Sequence, residues 1–275
     1  MSDFPSNASM VVRQTRYQVK FFSRVPVALF FTLALPLIML FLFNALFGDH
    51  DVVTDQGSWP VRQFYTGGLA AYTAVSATYS NLANMVPIRR DEGVLKRWRS
   101  TPLPTWGYIA GFVWSAIVIA LAGVVVMLTV GVVLYDLSID WMKMPAAFVT
   151  FLVGVGSFAA LGMAVAAMIK TASSASAVAN ATILPLAFIS DVFVVTDDAP
   201  SFLTTIGNLF PLKPFVNAFQ DCFNPLVDGW AFDWQALVFI AAWGALGSVV
   251  AVKKFRWEPS GAEPRGRRAR RAATT

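Results

Sequence analysis

The chain has 275 residues, of which 56% are hydrophobic and 13% charged, with a formal net charge of +5 and a mean hydropathy of +0.59. A soluble domain carries about 25% charged residues, so this composition argues against a soluble globular protein. The single cysteine, Cys222, excludes an intrachain disulfide, and with His50 as the sole histidine neither a zinc cluster nor a histidine metal site is within reach.

In chain order, residues 10–24 read MVVRQTRYQVKFFSR. Their apolar and basic residues segregate onto opposite helix faces, which predicts an interfacial amphipathic helix; the alternative is a plain basic flank that fixes topology. The first apolar block, 27–47, carries no charge and spans about 31 Å as a helix, close to the hydrocarbon thickness. It begins too late and runs too long for a signal-peptide core, so it is expected to remain in the mature protein. Pro36 is expected to kink it.

Further uncharged or nearly uncharged blocks follow at 64–87, 106–135, 145–169, 171–190 and 235–252, giving six predicted spans. The second and fifth are diluted with small polar residues, as expected of helices that face other helices or a pathway. Asp191 is read as marking where the fifth span meets water. Between spans five and six, FLTTIGNLF and FVNAFQDCF are too short to cross and predict short external re-entrant or interfacial helices. Asp197 and Asp198 read as a solvated turn before Pro200. The tail 258–275 has no apolar residue larger than alanine and is expected to be disordered and basic.

Six spans put both termini on one side. That side holds Arg13, Arg16, Lys20, Arg24, Arg89, Arg90, Lys96, Arg97, Arg99, Lys170 and the tail arginines, while Arg62, Lys143 and Lys213 fall opposite. The positive-inside rule therefore predicts cytoplasmic termini in a bacterial inner membrane, with the basic excess serving topology rather than nucleic acid.

Catalytic motifs are missing. No GxxxxGK[ST], GxSxG or HExxH occurs, which argues against an ATP site of that type and against a hydrolase or zinc protease. The most specific segment is 89–104, Arg89-Arg90-Asp91-Glu92-Gly93-Val94-Leu95-Lys96-Arg97-Trp98-Arg99-Ser100-Thr101-Pro102-Leu103-Pro104. Over 92–99 it predicts a short amphipathic helix with Leu95 and Trp98 on one face, stopped at Thr101-Pro102. Two turns of helix are marginal alone, so the apolar face calls for a docking partner. In the second span, Tyr65, Tyr72 and Tyr79 recur every seven residues; Ser76 lies on that stripe and Asn84 near its cytoplasmic end. Aromatic hydroxyls of this kind suit an amphiphile pathway, with plain helix packing as the alternative.

EGVLKRWRSTPLP, over 92–104, resembles the cytoplasmic signature of ABC-2 type permeases, with Val94 and Trp98 as departures that keep size or apolar character. NLFPLKPFVNAFQ resembles the external segment of that family, most of all its drug-resistance, daunorubicin-exporter-like branch. The resemblance implies an all-α polytopic protein with a transmembrane domain over 1–257. It implies an ATPase-coupling role for Glu92, Gly93, Leu95, Trp98, Arg99, Thr101 and Pro102. It also implies a cytoplasmic ABC ATPase as partner, a second permease subunit, and contact with membrane lipid. On this reading the chain is not itself an enzyme and binds no metal or cofactor, with ATP and Mg held by the partner. The expected function is export of an amphiphilic, drug-like or lipid-like substrate. Alternatives are a polysaccharide or glycolipid exporter of the same superfamily, an ATP-independent secondary transporter, and a membrane enzyme. The lack of intramembrane carboxylates disfavours the secondary transporter, and the lack of a nucleophile–base set disfavours the enzyme.

Overall fold

Uncharged runs of this length must satisfy every backbone group internally when they meet lipid, and helices do so. The computed structural model describes residues 7–24, 30–54, 56–94, 105–195 and 199–255, and most of them are helical. The amphipathic helix α1 covers Asn7–Phe22 and packs along α5. A π-helical turn, Phe30–Ala34, runs directly into α2, Leu35–Phe47, with Pro36 just past the junction. Next come α3 (Val61–Val75), a second π-helical turn (Ser76–Ser80) and α4 (Asn81–Asp91). The chain then forms α5 (Thr105–Tyr135), α6 (Met144–Met168), α7 (Ala172–Phe188), α8 (Ser201–Leu209), α9 (Leu212–Gln220) and α10 (Trp234–Lys254). Among the described residues, Ile109–Tyr135, α6 and α10 are long and apolar enough to cross a membrane, and Thr32–Phe47 and α7 are shorter apolar helices. The chain is a helical membrane protein.

Residues 50–60 depart from the all-α expectation: β1 (Asp51–Thr54) and β2 (Gly57–Pro60) form an antiparallel hairpin, Val52 opposite Trp59, with Gly57, the first residue of β2, at φ +124°. The helix that carries the uncharged block 64–87 continues beyond it. It runs to Asp91, which moves Arg89 and Arg90 out of the loop and into its last turn. Asp191 does not meet water; it is 4% exposed and faces a lysine. The expected helix over 92–99 lies outside the described residues beyond Val94, as do Leu95, Trp98, Arg99, Thr101, Pro102, the Asp197–Asp198 pair and the tail.

The centre of the fold is α3 with its π-helical turn, in which nearly every residue from 63 to 79 is buried. Its small polar residues are compatible with that position because their hydroxyls bond back to their own helix. Thr66 donates to Arg62 O at 2.6 Å, Thr73 to Leu69 O at 2.8 Å and Thr78 to Ala74 O at 2.8 Å. With the hydroxyls satisfied, α5 closes in through glycines: a Cβ at Gly123 would stand 2.7 Å from the Thr73 methyl. The same device joins α6 to its neighbours, with Gly162 against the Tyr79 backbone and Gly244 of α10 against Ser157, as expected where close packing rather than water exclusion holds helices together. The outer faces carry Trp114, Val118, Leu121 and Val125 on α5 and Val238, Leu246 and Val249 on α10, a surface suited to acyl chains. The helix α9 is packed on α3, α6 and α10, with Phe215 and Phe219 fully enclosed.

Candidate functional site

Three clusters are built around the central helix. At its C-terminal end the buried phase of α4, set by Leu82 and Val86, continues three and four residues on to Arg89 and Arg90. The Arg89 guanidinium lies 4.4 Å over the Phe21 ring of α1 and 4.9 Å over the Phe112 ring of α5. Arg90 Nη2 donates to Ile169 O at 2.9 Å and to Lys170 O at 3.0 Å, so it grips the turn between α6 and α7. Asp91 completes the grip: its Oδ2 accepts from the Ala172 amide at 2.7 Å, at the first residue of α7, where a carboxylate meets the positive end of the helix dipole. Its Oδ1 stands 3.4 Å from Arg90 Nε.

The chain leaves this grip through Glu92 and Gly93. The Glu92 amide bonds to Ile88 O and the Gly93 amide to Arg90 O, each at 3.0 Å. Gly93 has φ +71° with no atom within 4 Å of a would-be Cβ. The backbone conformation, not space, therefore asks for glycine there, as at many helix C-termini. Glu92 is exposed. Of the residues assigned to coupling from the sequence, these two stand at the exit of the grip.

The tyrosine stripe runs up one side of the central helix. Tyr65 stacks on Phe43 at 4.5 Å and its hydroxyl donates to Phe193 O at 3.5 Å. Tyr72 meets the Phe193 ring edge-on at 5.3 Å. The Tyr79 hydroxyl shares a 2.6 Å hydrogen bond with Thr182 of α7. Tyr65 and Tyr72 thus converge on Phe193, Tyr79 reaches α7 separately, and Ser76 is buried between them. Asn84 is turned back, its amide donating to Ser80 O at 2.7 Å. All three tyrosines are buried within the chain, and α7, mostly exposed on its other faces, packs on α4 and the π-helical turn and meets the stripe at Tyr79.

At the opposite end of the central helix a polar lock joins the chain after α7 to α9. Lys213 Nζ is 3.2 Å from Asp191 Oδ2, both side chains under one-tenth exposed. Asp191 holds φ +56°, a left-handed conformation that aspartate and asparagine tolerate better than most residues. Gln220 Nε2 donates to Phe64 O at 3.1 Å and to Asp191 O at 3.2 Å. Lys143 Nζ donates to Asn224 O at 2.8 Å, and Asn224 Nδ2 to Gln56 Oε1 at 2.6 Å. Beside the lock is a cavity of about 160 Å³ walled by Trp59, Phe64, Asn217, Gln220 and Asp221. Burial pushes the Asp221 carboxyl up to about 6; the Gln56 hydrogen bond opposes this, Asp233 adds to it and Lys143 opposes it. Burial likewise pushes the Cys222 thiol up to about 12, far from a reactive thiolate.

The sequence reading treated Arg89, Arg90, Lys143 and Lys213 as topology charges only. Helical phase from Leu82 and Val86 was the available signal for the two arginines. No local signal marked Lys143, Lys213, Gln220 or Phe193, whose partners are distant in the chain. Among the described residues no group of three His, Cys, Asp or Glu could hold a metal ion.

The chain matches the family described as ABC-2 type transporter over residues 12–224. No curated protein matches it.

Proposed function

Since this chain belongs to the ABC-2 type transporter family, we propose that it is the permease subunit of an ABC exporter, driven by a separate cytoplasmic ATPase. Two permease subunits pair, each crossing a bacterial inner membrane six times with both termini in the cytoplasm. The spans are the helix 30–47, the helix 61–91, α5, α6, α7 and α10. The substrate is an amphiphile, drug-like or lipid-like, moving outward along the tyrosine stripe.

The observation that carries this reading is the grip of Arg90 and Asp91 on the start of α7. The segment 92–104 docks in a cleft of the ATPase through Leu95 and Trp98, with Arg99, Thr101 and Pro102 closing the motif. Closure of the ATPase displaces Glu92 and Gly93. Arg90 and Asp91 pass that displacement to residues 169–172 and hence to α7. Because α7 packs on the π-helical turn and is tied to it by Thr182 and Tyr79, its movement uncovers Ser76 and Tyr79. No helix needs to break, and the hydrogen bonds exchanged are few.

The test uses pull-down and vesicle transport on the same preparations with the cognate ATPase. Trp98→Ala should lose association, because truncating a buried interface tryptophan often costs about 2 kcal/mol or more, roughly thirtyfold in affinity. Glu92→Lys and Arg90→Gln should keep association and lose transport. Wild-type association and transport in all three variants would overturn the coupling assignment. Robust ATP hydrolysis by the isolated chain would overturn the permease reading itself.

A further inference from the structure

The helix α1 buries Gln14, Gln18 and Phe22, one turn apart on a single face. A buried carboxamide normally finds partners, and leaving a donor unmet is costly. Neither Gln14 Nε2 nor Gln18 Nε2 has a hydrogen-bond partner among the described residues, although the two side chains are 5% and 4% exposed. Gln14 is held in place by Gly111 of α5, where a Cβ would come within 2.8 Å of the Gln14 Cβ. Gln18 lines a small cleft with Phe21, Asn81, Arg89, Phe112 and Ser115.

The chemistry of this cleft is one-sided. Arg89 supplies a buried positive charge, fixed between two aromatic faces, and no carboxylate lies within ion-pair distance of it among the described residues. The Ser115 hydroxyl already donates its hydrogen bond to Phe112 O at 2.7 Å. Gln18 Nε2 and the guanidinium edge remain as donors, and the lining residues include no acid. A cavity of about 20 Å³ accepts one oxygen atom, not a whole headgroup, so the rest of the ligand must sit in the open mouth. Neutral ligands gain little from such a site; an anionic oxygen gains charge-assisted hydrogen bonds.

We propose that the cleft between α1, α4 and α5 binds a phosphoryl oxygen of an anionic amphiphile in the cytoplasmic leaflet. The placement rests on α1 lying at that membrane surface, as the permease reading has it. The consequence is a headgroup clasp at the lower end of the central helix. It shares Arg89 with the last turn of α4, one residue before the grip on α7, so headgroup occupancy and the coupling segment bear on the same turn of helix.

The experiment measures thermal unfolding of the full-length chain in dodecyl maltoside by tryptophan fluorescence, without the ATPase. The additives are dioleoyl phosphatidic acid, dioleoyl phosphatidylcholine or inorganic phosphate. Phosphatidic acid at a hundredfold excess over its Kd should raise the midpoint by roughly 5 °C or more, and phosphatidylcholine should not. Gln18→Leu removes the unmet donor, so the variant should melt at or above the wild type without lipid and lose the gain with it. Gln18→Glu keeps the shape, repels the phosphoryl group and should also lose the gain. Arg16→Gln with Lys20→Gln, on the exposed face of α1, should keep it. A gain that survives in Gln18→Glu, or that vanishes only in the Arg16/Lys20 variant, overturns the proposal in favour of diffuse attraction. No gain with either phosphate source overturns it in favour of a water site. An equal gain with inorganic phosphate, lost in Gln18→Glu, supports the phosphoryl site and assigns it to a soluble ion. Failed ATP-driven transport alongside an intact phosphatidic acid gain would strike the permease reading alone.

Discussion

The buried pair of Asp191 and Lys213 makes the strongest quantitative prediction. Lys213→Met keeps the apolar stem that lies against Gly207 and removes only the ammonium. The carboxylate of Asp191 then stays under cover with its 3.2 Å partner gone. Breaking a buried pair on one side costs about 3–5 kcal/mol. Asp191→Asn suits the backbone, since asparagine accepts φ near +56°, and it strands the ammonium at a similar cost. The double variant leaves no buried charge, so most of the loss should return. The cycle should therefore give a coupling energy of at least about 4 kcal/mol, the sum of the two single losses less the small loss of the double variant, far above the few tenths seen between independent sites. The assay is SDS-induced unfolding of the purified chain, followed by tryptophan fluorescence, for the wild type and the three variants. A Lys213→Met loss under about 1 kcal/mol, the range of exposed pairs, would refute the argument, as would additivity of the two single losses.

Three further predictions concern separate parts of the chain. Gly93→Ala places a side chain at φ +71° at a cost of roughly 1–2 kcal/mol. Transport should fall several-fold while Gly93→Asn retains most of it, and equal rates would show that the left-handed turn is not needed. Asp221, with a folded pKa of about 6 against 3.8, binds its proton more tightly when folded. Its contribution is fully present below about pH 4 and is lost as pH rises through about 6, at most about 3 kcal/mol; unfolding midpoints of the wild type and Asp221→Asn between pH 5 and 7.5 check this, the variant losing that slope. Tyr79→Phe removes the 2.6 Å bond to Thr182, worth about 1 kcal/mol, and should speed maleimide labelling of a cysteine placed at the buried Ala187; unchanged labelling would show that this bond does not hold α7 in place.

What could be read ahead of the structure followed from short-range physics. Hydropathy and charge placed the apolar helices, because a missing charge is visible residue by residue. Amphipathic spacing found α1, and proline-bounded apolar stretches found α8 and α9. The dilution of the second helix by Ser, Thr and Gly marked it as facing other helices, and it became the centre of the fold. What escaped was long-range pairing. The carbonyls that Arg90 holds are about eighty residues downstream, and Lys143 and Asn224 are 81 residues apart. A charge count assigns such residues to a side of the membrane and says nothing of their partners. The hairpin over 51–60 escaped because four-residue strands alternate too briefly to stand out from a loop.

The π-helical turn at Ser76–Ser80 acts as an angular offset. Each residue of an ordinary helix advances the side chains by about 100° and 1.5 Å, and a π-helical turn carries one residue more than its neighbours. The upper part of the helix, which meets Phe193, and the lower part, which holds Arg89 and Arg90, are therefore aimed by different rules. Because the π-helical turn takes up one extra residue, losing a single residue between 76 and 80 would leave an ordinary helical turn with both ends on their present faces. Losing one residue in α4 ahead of Arg89 would instead swing that end by roughly a quarter turn, taking Arg89 off the Phe21 and Phe112 rings and Arg90 off the 169–170 carbonyls. Two chains shortened by one residue, with nearly the same composition, apolar blocks and charge pattern, would then send the segment after Asp91 in different directions.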